Sequence, residues 1–421
     1  MQRIITVILL LSLAATAAAQ EDSPRDPLRP SGTRWLVRFE RAVPVAAQKE
    51  LAVELGAELV RLGPYADFVL LRFDSPPKPM AAERLARTPG VVYAEREARY
   101  RTAMHLAPVD PDDPLEPLQW SHRMINLPAA LDINFGSDPS VAVAILDTGV
   151  AYADFGAHSA APDLAGTVVL DGYDFVGGDV LALDEGDGSV GHGTFVAGVV
   201  AQTTHNARGT AGIAFNASLL PVRVAGRRGI ARAAELARGI RYAVASGASI
   251  IVVGVAGPAD SRAVREAVRF AYRCGVAVFA PAGNRPEVQF PARYREVLSV
   301  GAVDAAGRRA HYSPASGPVD IYAPGGDLRP GVDADSDGRP DGVIAETFRA
   351  RRFGSFGPVM LEGTSAAAAH AAGAAALLLS QVGPLPPERL YSALRSSARL
   401  EGGLPLLDAA RLLFRASAIA Y

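Results

Sequence analysis

The chain has 421 residues, 42 Lys plus Arg against 44 Asp plus Glu, a formal net charge of -2 and 49 % hydrophobic residues. Such a composition fits a globular protein with a sizeable core, and so even a charge balance argues against nucleic acid or an anionic membrane as partner. The one cysteine, Cys274, excludes any intrachain disulfide, so stability has to come from core burial or bound ions.

Residues 1–19 combine Arg3, the apolar run Ile4 to Leu13 and the small residues Ala17-Ala18-Ala19, the pattern of a signal peptide with its cleavage site. The run is too short to span a bilayer, and nothing later reads as a membrane anchor, so a secreted protein, extracellular or periplasmic, is expected. Polar, proline-rich residues 20–32 read as a linker. Residues 33–104 then show strand Trp35 to Phe39, helix Ala46 to Leu55, strands Ala57 to Leu62 and Phe68 to Phe73, helix Ala81 to Arg87 and strand Val91 to Ala94. That βαββαβ order predicts a small ferredoxin-like α+β unit. From residue 105 to 421 apolar strands alternate with helical stretches, as a parallel sheet with helices on both faces requires. The last segment, 386–421, reads as surface helices closing the fold.

Within that α/β region, Val141 to Leu146 is a continuous apolar run, expected as a strand buried on both faces, and it ends in Asp147-Thr148-Gly149. Asp147 is thereby placed at a strand's carboxyl end, where open α/β sheets build their sites. Gly191-His192-Gly193-Thr194 opens a small-residue helix, with glycines that let other backbone approach the imidazole. Glu362-Gly363-Thr364-Ser365 opens an alanine-rich segment without formal charge, predicted as a helix buried all round with Ser365 at its N-cap or first turn. A nucleophilic serine needs a base and an orienting carboxylate, and His192 and Asp147 are the residue types that supply them.

The order Asp, His, Ser in these three settings resembles the subtilase family of subtilisin-like serine peptidases. Further matches are Val276 to Asn284, Phe290 to Tyr294 leading to Val300 to Asp304, and Ile321 to Gly325, and the resemblance covers about residues 110 to 415. It implies Asn284 as an oxyanion donor beside the Ser365 backbone N–H. It implies too that a protein or peptide substrate adds as a strand between Gly229-Ile230-Ala231 and Gly254-Val255-Ala256-Gly257. The unit at 33–104 is similar to the inhibitory propeptide preceding many subtilase domains, which makes it the chain's own intramolecular inhibitor; an independent binding domain is the alternative. Structural calcium is implied at two places, Asp113 with Asp163 and Asn206, and the loop Asp333, Asp335, Asp337, Asp341. That loop resembles the first half of an EF-hand, with carboxylates at every second position up to a turn at Gly338.

The chain departs from the family twice. The substrate strand usually reads Asn-Met-Ser-Leu-Gly-Gly and here reads Val252-Val253-Gly254-Val255-Ala256-Gly257, which changes the first specificity pocket. Ala369 stands where the family has proline, so the helix continues regularly and Ser365 is expected to shift slightly. Arg227 and Arg228 beside the other strand read as solvated charges, with a preference for acidic substrates as the alternative. An active endopeptidase is expected, losing activity below about pH 6 to 7 as an unperturbed His192 gains a proton. The alternatives are a catalytically impaired relative that only binds peptides, and an aspartic protease, which needs a second Asp-Thr/Ser-Gly motif.

Overall fold

Alternation of buried and less buried residues makes Arg34–Phe39 a strand (β1), with Trp35 and Val37 turned inward. In this computed structural model, which describes residues 33–61, 68–77, 84–85, 87–96, 113–349 and 352–419, β1 is followed by helix α1 (Val45–Glu54) and by β2 (Ala57–Arg61), β3 (Val69–Phe73) and β4 (Val91–Arg96). The four strands form an antiparallel sheet in the order β2-β3-β1-β4, and Trp35, Val37, Ala52, Leu71, Phe73 and Leu85 build its core. The expected signal peptide and linker lie outside the described residues, as does most of the predicted helix 81–87. The chain divides into two compact units between His105 and Leu106.

The first described elements of the second unit are a 3-10 turn (Glu116–Leu118) and short helices α2 (Trp120–Met124) and α3 (Leu127–Leu131). Its centre is β5 (Ala142–Asp147), all of whose residues are buried. Being apolar on both sides, such a strand must be covered on both faces. Val143 and Ile145 point into one core and Ala144 and Leu146 into the other, as successive side chains on a strand must. The strands that follow are β6 (Tyr173–Asp174), β7 (Ser218–Arg223), β8 (Ile250–Val253), β9 (Ala277–Pro281), β10 (Val297–Val303) and β11 (Ile321–Pro324). Together with β14 (Arg399–Glu401) and β15 (Leu404–Leu406) they form a nine-stranded sheet in the order β14-β15-β11-β10-β9-β8-β5-β7-β6. Every pairing is parallel except that between β14 and β15.

Helix α4 (His192–Ala201) covers one face, and α5 (Ala233–Ala245) and α6 (Arg262–Arg273) cover the other. A ribbon of β12 (Val343–Phe348) and β13 (Phe356–Leu361) packs on α4. Helix α7 (Thr364–Val382) joins α4 on its face; it is long and apolar enough to cross a membrane, yet most of it is buried in the core. It runs unbroken through Ala369, as the missing proline predicts.

The C-terminal segment differs from expectation. Helices α8 (Pro387–Ser397) and α9 (Ala409–Ile419) do close the fold, but Leu390, Leu394, Leu412 and Leu413 are core residues. Between the helices lies the β14–β15 hairpin, which extends the sheet by two strands. Three-residue strands carry too little periodicity to be read from sequence.

Candidate active site

Three neighbouring strands, β5, β8 and β9, end at one edge of the sheet, and their last turns deliver Asp147, Gly254 and Asn284 to one place. The Asp147 side chain is wholly buried. Its Oδ1 accepts the Thr148 N–H at 2.7 Å. Its two oxygens lie 2.8 and 2.9 Å from His192 Nδ1, at the first residue of α4. An anionic carboxylate only accepts, so Nδ1 carries the proton and Nε2 is left bare towards the cleft, where the imidazole is 23 % exposed. Burial by itself lowers the proton affinity of His192. The paired charge and hydrogen bond of Asp147, helped by Asp187 and Asp184, outweigh it and hold the imidazole above its ordinary value. An acid limit above the one an unperturbed histidine gives is therefore expected.

One residue that the motifs did not reveal ties this pair together. Asp184, fully buried, accepts the Thr148 hydroxyl at 2.7 Å, the Thr194 N–H at 2.8 Å, the Thr194 hydroxyl at 2.6 Å and the Gly186 N–H at 2.8 Å. Thr148 follows Asp147 and Thr194 lies two residues after His192, so one carboxylate spans the strand end and the helix start. Burial pushes its carboxyl up to about 6 despite these donors.

Ser365 lies in the first turn of α7, and its hydroxyl donates to the Gly254 carbonyl at 3.1 Å. A serine hydrogen bond to a base commonly tightens only with substrate in place. Asn284 Oδ1 accepts the Thr364 N–H at 3.1 Å and the Thr364 hydroxyl at 2.8 Å. With its oxygen engaged, the amide has its NH2 free to donate. Thr364 is thus a second residue whose part the motif does not reveal. His192, Asn284 and Ser365 line both of two cavities, of about 240 and 270 Å³, and stand where the two meet. A hydroxyl, a base oriented by a carboxylate and an amide donor at such a junction are the parts needed for acyl transfer at a bond inside a longer chain.

The predicted substrate segments flank this site. Gly229, Val255 and Ala256 line the smaller cavity, and with Ile230, Ala231 and Gly257 they also line an adjoining, more apolar one of about 570 Å³. Gly229-Ile230-Ala231 is the arm of a tight turn, Gly226 N–H to Ile230 O at 3.1 Å, rather than a regular strand. Arg227 is held by an ion pair with Glu185, which removes it as a free cation for acidic substrates.

At the acidic loop, Asp333, Asp335 and Asp341 each bring one oxygen within 4.8 Å of the others. Asp337 does not join them. Its carboxylate accepts the Arg339 N–H at 2.8 Å, because the turn at Gly338 sends the backbone N–H groups of 337 and 338 back onto Asp333. Asp113, Asp163 and Asn206 also come together, but N–H donors occupy the carboxylates. Asp113 accepts from His205 N at 3.0 Å and Asn206 N at 3.4 Å; Asp163 accepts from Asn206 Nδ2 at 2.8 Å and Thr210 N at 3.0 Å.

Residues 138–410 match the description of the subtilase family. The chain is 37 % identical over 254 residues to a thermophilic serine proteinase from Bacillus sp. (strain AK1), covering 60 % of this chain and 55 % of that one. It is 27 % identical to subtilisin E of Bacillus subtilis (strain 168) over 387 residues, covering 90 % and 88 %. A solved protease structure from Pseudoalteromonas arctica superposes with a TM-score of 0.64 at 31 % identity, covering 73 % of this chain and all of that one. The chain therefore belongs to the subtilase family. Its relatives make it a serine endopeptidase.

Proposed function

We propose that the protein is a secreted endopeptidase, made as a zymogen, in which Ser365 is the nucleophile, His192 the general base and Asp147 the carboxylate that fixes the imidazole tautomer. The observation that carries this reading is the Asp147–His192 pair, with Nε2 bare at the junction of two cavities that Ser365 also lines. His192 takes the Ser365 proton as the hydroxyl attacks the substrate carbonyl, and the oxyanion is met by Asn284 Nδ2 and the Ser365 N–H. Collapse releases the amine, which takes that proton back. Water then repeats the sequence on the acyl-enzyme. The peptide adds as a strand between 229–231 and 254–257, where Val255 and Ala256 make no backbone hydrogen bond among the described residues, and one apolar side chain enters the 570 Å³ cavity.

Residues 33–104 serve in this reading as a ferredoxin-like inhibitory propeptide and 105–421 as the peptidase domain, with residues 1–19 removed on export. The strand order β2-β3-β1-β4 supports the propeptide, as does similarity to subtilisin E over 90 % of the chain, which has to reach into the N-terminal unit. Structural calcium would be held by Asp333, Asp335 and Asp341. Burial and the neighbouring carboxylates raise the Asp335 and Asp341 carboxyls, an electrostatic cost that a cation relieves.

The test is the Ser365→Ala chain in a protease-free host, with intact-mass analysis of the product. Accumulation of uncut protein carrying residues 33–104, beside wild-type protein cleaved between about 100 and 105, is the expected result. Ser365→Ala protein at mature mass overturns self-processing. Wild-type protein that resists a serine-directed phosphonyl fluoride and leaves casein intact overturns the nucleophile, in favour of a peptide-binding relative.

A further inference from the structure

On the proposed mechanism the attacked carbonyl would lie between Ser365 and Asn284, and the cavity beside them is lined by the segments that follow β8 and β9. Gly254 to Gly257 form one wall and Pro281 to Arg285 the other. Gln289 N–H donates to Ala282 O at 2.8 Å, and Phe290 exchanges hydrogen bonds of 2.8 and 2.9 Å with Gly257. Residues 289–290 thus bridge the walls and make the base of a slot. The Gln289 side chain folds back over Gly283. A Cβ on Gly283 would meet Gln289 Oε1 at 2.3 Å, so the glycine is what leaves room for the carboxamide. Neither Gln289 nor Arg285, which directly follows Asn284, makes a side-chain hydrogen bond or ion pair with the described residues, and both line the 240 Å³ cavity. Two anions, Asp147 and Asp187, also line this cavity, and both are engaged. Asp147 is spent on His192, and Asp187 Oδ1 accepts the Ser189 and Val190 N–H groups.

Building on the peptidase reading above, we infer that this slot selects a carboxylate side chain such as that of glutamate at the residue N-terminal to the cut bond. Arg285 supplies the positive charge at the rim and Gln289 an amide donor at the base. An unpaired guanidinium beside the oxyanion donor attracts an anion and repels lysine or arginine, and an amide base leaves a large apolar side chain facing an unsatisfied polar group.

The experiment uses the full chain, its active fraction counted by phosphonyl-fluoride titration, and peptides differing only at that residue: Glu, Gln, Phe or Lys. Glutamate is expected to exceed glutamine in kcat/KM by about tenfold or more, with lysine cut worst, as one charge-assisted contact allows. The Glu to Gln ratio should shrink as salt is raised on the unaltered enzyme, a readout independent of any variant's folding. Arg285→Glu should place Lys above Glu, and Gln289→Ala should raise Phe relative to Glu. A Glu to Gln ratio near one, or a ratio unchanged by Arg285→Glu, overturns the proposal while efficient labelling leaves the peptidase reading standing. Failure of all four peptides together with failure of labelling overturns both.

Discussion

Gly254 and Asp147 are matched by exclusion: a Cβ built on Gly254 would lie 1.6 Å from Asp147 Oδ2. The buried carboxylate occupies the space that any side chain at 254 would take. The subtilase serine usual at that position is therefore incompatible with this placement of Asp147. Gly254→Ala or Gly254→Ser should push Asp147 away from His192 while keeping the Gly254 N–H bond to Leu146 O. The expected loss in kcat is between ~10² and ~10⁴-fold, bounded by removal of the orienting carboxylate altogether. Peptide hydrolysis with circular dichroism as a check on folding measures it, and a variant with wild-type kcat contradicts the relationship.

Asn284→Ala should lower kcat by ~10² to 10³-fold with KM little changed, a magnitude known for a subtilisin's side-chain donor and carried over to this chain. Thr364→Val keeps Asn284 but removes the hydroxyl that fixes its oxygen. It should cost less than Asn284→Ala and add little in the double variant, because the two act through the same amide. Additive losses would separate them.

The His192 imidazolium cannot accept the Ser365 proton. Because Asp147 and the nearby anions hold its protonated form above the ordinary value, activity is present above that raised value and disappears as pH falls through it. Asp184→Asn removes one of those anions and loosens the tie between Thr148 and Thr194. The acid limb of kcat/KM should move to lower pH while kcat drops ~10 to 100-fold from misplacement. A fall in kcat with the limb unmoved would reduce Asp184 to a strut without electrostatic influence.

Two buried histidines should make stability fall on the acid side. The His370 Nδ1–H donates to Ala366 O at 2.8 Å, and its Nε2 has no partner; His122 Nε2 faces the Gln119 amide at 3.3 Å. Burial lowers His122 to about 3, with His370 assisting, and lowers His370 to about 4, both from 6.5. Both are neutral when folded, so the stability is fully present above the unfolded value and is lost as pH falls towards those depressed values. At pH 5 each costs ~2 kcal/mol relative to pH 7. Urea unfolding of His122→Gln should show about half of that pH dependence, and an unchanged slope would rule His122 out.

Calcium should raise the inactivation temperature, since only the folded chain assembles Asp333, Asp335 and Asp341; ~2.7 kcal/mol is gained at a hundred times Kd. The double variant Asp335→Asn with Asp341→Asn should lose that gain and Asp337→Ala should keep most of it. Calorimetry with and without the ion decides. Equal calcium response in the double variant moves the ion elsewhere.

Much of the fold was legible because its central strands are continuous apolar runs, and a run such as Val141 to Leu146 has few alternatives to a doubly covered strand. Asp147, His192, Ser365 and Asn284 could be named as candidates because each sits in a short local motif. Asp184, Thr364, Gln289 and Arg285 were not. The contacts of Asp184 and Thr364, and the part proposed for Gln289 and Arg285, depend on neighbours brought close by folding, across turns whose sequences carry no period. The acidic loop was half readable: alternation placed four carboxylates on one stretch, but only the turn geometry at Gly338 decided that Asp337 faces away.

The sheet's two borders carry a consequence of their own. On the proposed mode of substrate binding by strand addition, an open strand elsewhere would be a second place for extended chains to add, including copies of this one. Here one border is β14, three residues long with Arg399 and Glu401 at its ends, and the other is β6, two residues long. Neither is long enough to template an incoming chain, and charge guards the longer of them. Protection against self-association is thereby built into the same sheet whose central strand ends present the cleft.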